Sequence, residues 1–195
     1  KINIPKKLKI GVMINASEIV DNSKKKLLKN IKNLFPVKND KINFVRIACH
    51  IHEIEKVLPV SQFLKKRGYK VIFNLMQCAD RSSEELQKVG MLMSKYPIDI
   101  LYFADSMGSM NTDKTSFVIN NLKKYWHKEI GIHTHDNMLR AFTNTDQAIS
   151  QGVNWIDGTI SGMGRGPGNI KTEYLLINYS NILKRKVNLL PLLNI

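Results

Sequence analysis

Cysteine is scarce in this sequence: Cys49 and Cys78 are its two cysteines in 195 residues. Two isolated thiols exclude a disulfide framework and a cysteine-rich zinc site, so we expect both to be reduced. Also missing is any run of about 18 apolar residues, which a membrane-spanning helix requires. The opening KINIPKKLKI lacks the apolar stretch of a secretory signal. The sequence thus predicts a cytoplasmic protein that does not enter a membrane.

Acidic residues are in the minority, with 16 Asp and Glu against 30 Lys and Arg and a formal net charge of +14. Clustered basic residues can bind the phosphates of nucleic acid. The lysines here fall mainly in NSKKKLLKNIKN, LKKRGYK and NLKKYWHK, on the outer faces and ends of predicted helices. No interleaved glycines and aromatics accompany them, so we expect no nucleic-acid partner, and a nucleic-acid binder is the least favoured alternative.

Short apolar runs alternate with longer amphipathic ones, which is typical of repeated βα units around a parallel sheet. Strands are predicted at 8–15, 44–49, 70–76, 99–105, 129–135 and 155–161. Two architectures are compatible with six such units. Either the sheet is open and doubly wound, or the chain, which begins with Lys1, is part of a longer protein, because a (β/α)₈ barrel cannot close with six units.

Two pairs of histidines lie at the ends of predicted strands: His133 and His135 in GIHTHDN close one strand, and His50 and His52 in CHIHE directly follow another. Residues i and i+2 of a strand point to the same side, so both imidazoles of a pair can reach one cation. The alternative is a strand-end pair that loop carbonyls satisfy. A helical pattern follows the second pair, and we interpret His50 as a pocket-lining residue and His52 as structural or exposed.

A glycine-rich loop, SGMGRGPGN, follows the last predicted strand and contains Gly162, Gly164, Gly166 and Gly168. Such a loop lets backbone amides approach an anion, or packs a tight turn under a site. A flexible connection between strand and helix is the alternative.

The carboxyl-terminal part of the sequence resembles the last two βα units of the DRE-TIM metallolyase (HMGL-like) superfamily. The resemblance rests on four features in a fixed order, namely GIHTHDN, Asn144, WIDGTIS and SGMGRGPGN. That superfamily includes the 4-hydroxy-2-oxovalerate aldolases, hydroxymethylglutaryl-CoA lyase and the isopropylmalate synthase group. ILYFADSMGSM is similar to the sixth strand of the aldolase branch, and VRIACHIHE to its fourth. The resemblance implies an α/β fold, a TIM (β/α)₈ barrel of which residues 1–195 supply the third to eighth units as part of an aldolase or lyase catalytic domain.

The resemblance also implies roles for individual residues. His133 and His135 would be ligands of a divalent metal, Mn²⁺, Mg²⁺ or Zn²⁺. A substrate-binding set would comprise Ser106, Asp105, Asn137, Asn144 and Arg165, with Asp105 also expected to brace the strand end and the two asparagines to face the substrate or support the metal ligands. Asn169 would tie down the glycine loop.

The family's first strand supplies an Asp ligand and an Arg that stabilises the enolate oxygen, and nothing in this sequence aligns with that strand. The catalytic base of the aldolases also belongs to that region, and we interpret His50 as its substitute.

The implied reaction cleaves or forms a C–C bond through a metal-stabilised enolate of a 2-oxo acid such as pyruvate, with an aldehyde as the second small-molecule partner. The strand ADSMGSM favours this over a condensing enzyme of the isopropylmalate synthase type, which joins an acyl-CoA to a 2-oxo acid. A non-catalytic barrel remnant that binds a metabolite is the other alternative. Aldolases of this type often form homo-oligomers, and the sequence leaves the oligomeric state and the aldehyde open.

Overall fold

The computed structural model describes residue 5 and residues 7–21, 23–182, 184 and 186–193. Six parallel strands form one sheet and follow one another in chain order. They are β1 (Gly11–Asn15), β2 (Phe44–Cys49), β3 (Lys70–Leu75), β4 (Ile100–Asp105), β5 (Glu129–Thr134) and β6 (Trp155–Ile156). Each lies within a strand that the sequence predicts, because near-continuous apolar runs mark strands covered on both faces.

Helices occupy the connections between strands. They are α1 (Ala16–Ile19), α2 (Lys24–Leu34), α3 (Ile54–Val57), α4 (Pro59–Lys66), α5 (Ser83–Ser94), α6 (Thr112–Lys123), α7 (Ala141–Ser150), α8 (Thr172–Ile182) and α9 (Leu190–Leu193). Short 3₁₀ turns cover Ile51–Glu53 and Ile160–Gly162. Among the described residues, none of these helices combines the length and apolar character that crossing a membrane requires.

Alternate residues of each strand face two different cores. The outer faces pack against the helices in one large apolar cluster, to which β5 contributes Ile130 and Ile132. The inner faces form a smaller cluster of Ile72, Ile100 and Tyr102. This alternation follows from the two-residue period of a strand, and it sends Gly131 and His133 of β5 to the inner side.

The strand order decides between the two architectures that the sequence left open. A doubly wound sheet reverses its strand order at a switch point, whereas here the order is β1-β2-β3-β4-β5-β6. Arg46 of β2 also contacts Asp157, just after β6, at 2.7 Å. In a flat sheet those strands would be about 19 Å apart, at about 4.8 Å per step. The sheet therefore curves as a TIM barrel does, and the predicted fold class of six βα units is confirmed.

The last strand is shorter than predicted, since β6 ends at Ile156 and not at residue 161. The chain leaves the sheet there because Thr159 pairs with the segment before α8. Its amide donates to the Ile170 carbonyl at 3.1 Å, and its carbonyl accepts from the Thr172 amide at 2.9 Å.

Candidate active site

His133 and His135 lie side by side at the carboxyl end of β5. Their ring centroids are 5.0 Å apart and the ring planes meet at 82°. Ile132, before the pair, and Thr134, between the two histidines, are buried on the opposite face. The strand's alternation thus brings together the two histidines that the sequence singled out.

His133 is oriented by Asp157. Its Nδ1 lies 2.8 Å from Oδ2 of Asp157, which also accepts from Arg46. Burial raises the pKa of the Asp157 carboxyl, but the hydrogen bond from His133 and the positive charge of Arg46 outweigh it, so the pKa lies below its usual value. An ionised carboxylate only accepts, so Nδ1 of His133 carries the proton and Nε2 is left for another partner.

The surroundings of His135 favour its neutral imidazole. Burial lowers the pKa of His135, and electrostatic interactions with His133 and Arg165 lower it further. Its backbone also pairs with Asn169 in a short antiparallel bridge. A neutral imidazole is the form that binds a metal ion.

Both histidines open into a cavity of about 480 Å³ at the carboxyl ends of the strands, where parallel α/β folds place their sites. The cavity is also lined by Met13, Asn15, Ala48, His50, Asn74, Met76, Gln77, Ala104, Ser106, Met107 and Arg165. The structure therefore brings His50, Ser106 and Arg165 of the predicted set to the same cavity as the histidine pair. His52 is exposed, and its ring stacks on that of His50 with centroids 5.5 Å apart.

Ser106 and Asp105 take different positions although they are adjacent. The Ser106 hydroxyl faces the cavity and accepts from the Gln77 amide at 2.9 Å. Asp105 is 1% exposed, and its carboxylate accepts from the amides of Ser109 and Met110 at 2.9 and 3.1 Å. The resemblance groups Asp105 with the substrate-binding residues, and its buried position corrects that prediction. Because the amides of the loop after β4 occupy its carboxylate oxygens, Asp105 braces this loop, which is the second role expected of it.

Asn137 and Asn144 also lie outside the cavity lining. Asn144 is buried in α7 and donates to the Met110 carbonyl at 2.9 Å, so it ties α7 to the loop after β4. Asn137 is exposed and packs against Gly108, where an added Cβ would lie 2.7 Å from the Asn137 amide nitrogen. In this structure both asparagines contact loops beside the cavity, and their predicted contact with the substrate stays a prediction.

The glycine loop at 162–168 forms a compact turn beside His135. Asn169 fastens it, since its Nδ2 donates to the Met163 carbonyl and its backbone amide to the Gly162 carbonyl. Gly168 has φ +94°, and a Cβ there would lie 1.9 Å from the Gly162 carbonyl oxygen. Arg165, in the middle of the loop, reaches the cavity.

The sequence reasoning missed two residues of this region, Arg46 and Asn74. Nη2 of Arg46 donates to Oδ1 of Asn74 at 3.0 Å, while Nη1 donates to both oxygens of Asp157. A signal was available, because Arg46 in FVRIAC and Asn74 in VIFNLM are polar residues inside otherwise apolar strands. At the two-residue strand period, both fall on the inner face.

A larger hollow of about 550 Å³ lies at the opposite, amino-terminal ends of β5 and β6, lined in part by Lys123, His127 and Lys128. Lys123 donates to the Gln151 carbonyl and Lys128 to the Ile98 carbonyl. These ammonium groups are engaged by backbone, and barrel folds place chemistry at the other end, so the active-site interpretation belongs to the histidine cavity.

The donor set of the histidine cavity fits a divalent metal in part. His133 offers Nε2 because Asp157 holds its Nδ1, the arrangement in which a carboxylate orients a ligating histidine. His135 offers a neutral ring. Within the described part of the chain, no group of three or more His, Cys, Asp or Glu side chains is arranged to hold a metal. The residues present therefore supply two nitrogen ligands and leave the remaining positions to other groups.

Comparison with known proteins shows the family of this chain. Residues 6–194 match the family model described as HMGL-like. The chain is 30% identical over 175 residues to a 4-hydroxy-2-oxovalerate aldolase of Brevibacillus brevis, covering 90% of the chain and 48% of the relative. It is 30% identical over 195 residues to the same-named protein of Geobacillus thermodenitrificans, covering all of the chain and 54% of the relative. The chain thus spans about half the length of these curated relatives.

A solved structure matches as well. The N-terminal domain of a candidate aldolase from Bacteroides vulgatus superposes with a TM-score of 0.78 at 30% identity, over 96% of this chain and 60% of that one.

Proposed function

The chain belongs to the HMGL-like family, and we propose that residues 1–195 form part of the catalytic domain of a divalent-metal-dependent carbon–carbon lyase. The proposed reaction is the cleavage or formation of a C–C bond between a 2-oxo acid such as pyruvate and an aldehyde. The observation that carries this proposal is the histidine pair, with one ring fixed by Asp157, at the carboxyl end of β5 in a cavity of about 480 Å³.

The names of the relatives support the aldolase reaction over the condensing one. Both curated relatives are 4-hydroxy-2-oxovalerate aldolases, and such a substrate is a 2-oxo acid with a hydroxyl two carbons beyond its carbonyl. Since the chain spans about half of them, the activity of the whole protein is part of the proposal.

His133 and His135 would hold the metal, Mn²⁺, Mg²⁺ or Zn²⁺, through ring nitrogens. When bound, the metal supplies a Lewis acid that stabilises negative charge on the 2-oxo acid as the C–C bond breaks. Among the described residues, no further His, Cys, Asp or Glu side chain joins the two histidines in a group of three that could hold the metal.

Three other side chains of the cavity have proposed roles. Arg165 can pair with the carboxylate of the 2-oxo acid, since guanidinium and carboxylate form strong charge-assisted hydrogen bonds. The Ser106 hydroxyl, fixed by the Gln77 amide, can donate to an oxygen of the same acid. His50 is the candidate base that removes the proton from the hydroxyl of the departing half.

Metal analysis of the full-length protein tests the site. We expect near-stoichiometric divalent metal in the wild type and its loss in His133→Ala/His135→Ala. The matched control is His52→Ala/His127→Ala, which removes two exposed histidines outside the cavity and should retain the metal. Negligible metal in wild type and both variants, even after reconstitution with Mn²⁺, would contradict the proposal.

The reaction is tested by incubating the metal-loaded full-length protein with 4-hydroxy-2-oxo acids and measuring released pyruvate. Release of free CoA thiol from an acyl-CoA and a 2-oxo acid, without pyruvate release, would instead identify the condensing reaction. A protein that binds metal but turns over neither substrate would be the non-catalytic remnant.

A further inference from the structure

Arg46 lies on the inner face of β2 beside Asn74, which lines the cavity, and three partners from β3, β4 and the segment after β6 fix its guanidinium. Nη1 donates to both oxygens of Asp157 at 2.9 and 2.7 Å, and Nη2 donates to Oδ1 of Asn74 at 3.0 Å. The ring of Tyr102 lies against the guanidinium, with 3.9 Å from its centroid to Cζ. The Arg46 side chain is 13% exposed.

Asp157 transmits this fixed position to His133. Because both of its oxygens accept hydrogen bonds from Arg46, the Asp157 side chain acts as a carboxylate and can only accept. Its Oδ2 lies 2.8 Å from Nδ1 of His133. That contact requires the proton of the neutral ring on Nδ1 and leaves Nε2 with its lone pair.

Asn74 receives its orientation from the same guanidinium. Its side chain lines the cavity, and its Oδ1 accepts from Nη2 of Arg46. The opposite end of a planar amide is its NH₂ group. The group that Asn74 can offer to a ligand in the cavity is therefore a hydrogen-bond donor, which suits a carboxylate.

We propose that Arg46 is a positioning residue of the site: through Asp157 it sets the tautomer and orientation of His133, and through Asn74 it presents amide N–H groups to the carboxylate of the 2-oxo acid. The metal-binding part of this inference rests on the proposed function, whereas the tautomer of His133 can be observed without any metal. Removing a carboxylate partner from a ligating histidine typically weakens metal binding about 10- to 100-fold.

The test compares Arg46→Lys with the wild type in the full-length protein. Lysine keeps the positive charge, but one ammonium cannot reproduce the guanidinium fork that reaches Asp157 and Asn74 together. We expect the Kd for Mn²⁺, measured by electron paramagnetic resonance of the free ion, to rise tenfold or more. The matched control is Arg67→Lys, at the end of α4, where the guanidinium lies 5.2 Å from the ring centroid of Phe63; its Kd should stay within twofold of the wild type.

The second readout is the tautomer of His133 in the metal-free protein, read from ¹⁵N histidine spectra. The wild type should show the proton on Nδ1, and Arg46→Lys should show a mixture of the two tautomers. Asp157→Asn removes the carboxylate that connects Arg46 to His133, so it should raise the Kd for Mn²⁺ as much as Arg46→Lys does. The Kd of the double variant should be little higher than that of either single variant.

Two outcomes separate this inference from the proposed function. If a folded Arg46→Lys, or a folded Asp157→Asn should the first not fold, retains both the wild-type Kd and the Nδ1 tautomer, the positioning role is overturned. If the wild type binds no Mn²⁺ but the tautomer of His133 still depends on Arg46, the positioning role stands and the proposed metal chemistry fails.

Discussion

Arg46 in β2 and Asp157 just after β6 are 111 residues apart in the chain, and their strands are four positions apart in the sheet, yet their side chains form an ion pair at 2.7 Å. The side chains are 13% and 24% exposed. The pair therefore crosses the inner space of the curved sheet and lies largely out of water, where an ion pair depends on both of its members.

Arg46→Met should be strongly destabilising, because it leaves the Asp157 carboxylate buried without its guanidinium. We expect a loss of about 3 kcal/mol in the free energy of unfolding, as is typical when one member of a buried pair is removed. Urea unfolding followed by circular dichroism measures it. Lys88→Met is the control, because Lys88 and its partner Glu55 are 62% and 64% exposed, and it should cost less than about 1 kcal/mol. Equal losses in the two variants would show that the Arg46 pair behaves as a surface pair.

Gly131→Ala should disturb the inner core two residues before His133. A Cβ at Gly131 would lie 2.5 Å from the Tyr102 ring, which packs against Arg46. Overpacking of this kind costs about 1–3 kcal/mol, measurable by urea unfolding. Combining Gly131→Ala with Tyr102→Leu should recover part of that loss relative to the sum of the single variants. Strict additivity would mean that the collision with Tyr102 is not the cause.

Asp105 should give the protein a pH-dependent stability that Asp105→Asn lacks. Burial raises the pKa of this carboxyl, and the amides of Ser109, Met110 and Gly108 only partly oppose it. The folded state therefore holds the proton more tightly than the unfolded state. This contribution to stability is fully present below the unfolded pKa of about 4 and is lost as the pH rises through the folded value.

Unfolding of wild type and Asp105→Asn by urea at a series of pH values tests this sign. The stability of the wild type relative to the variant should fall as the pH rises from acid towards neutral. A relative stability that instead increases with pH would mean that the bonds from the loop amides outweigh burial.

Cys49 and Cys78 should resist alkylation in the folded protein. Both thiols are buried and unbridged; burial raises the pKa of Cys49 strongly and that of Cys78 to about 12. Because the thiolate is the reactive form, iodoacetamide at pH 8 should modify neither until the protein is unfolded in urea, when mass spectrometry should count two adducts. Rapid modification of either thiol under native conditions would contradict the burial.

Much of the architecture was predictable from local sequence. Near-continuous apolar runs located both limits of β2, and located β1, β3, β4 and β5 within about three residues, because a strand buried on both faces needs apolar side chains at successive positions. The two-residue period likewise predicted that His133 and His135 share one side of β5. What the sequence indicated wrongly was the length of β6, since Thr159 bonds to the segment before α8 and not to β5.

The tertiary structure alone decided which inward residues meet. Local pattern could identify Arg46 and Asn74 as polar residues on inner faces, but their contacts with each other and with Asp157 depend on the curvature of the whole sheet. In the same way, Asn144 belongs to the family motif by sequence, and only folding shows that it holds the Met110 carbonyl. Periodicity determines the side to which a residue points, whereas its partner across the interior is set by strand order and curvature, which are properties of the assembled sheet.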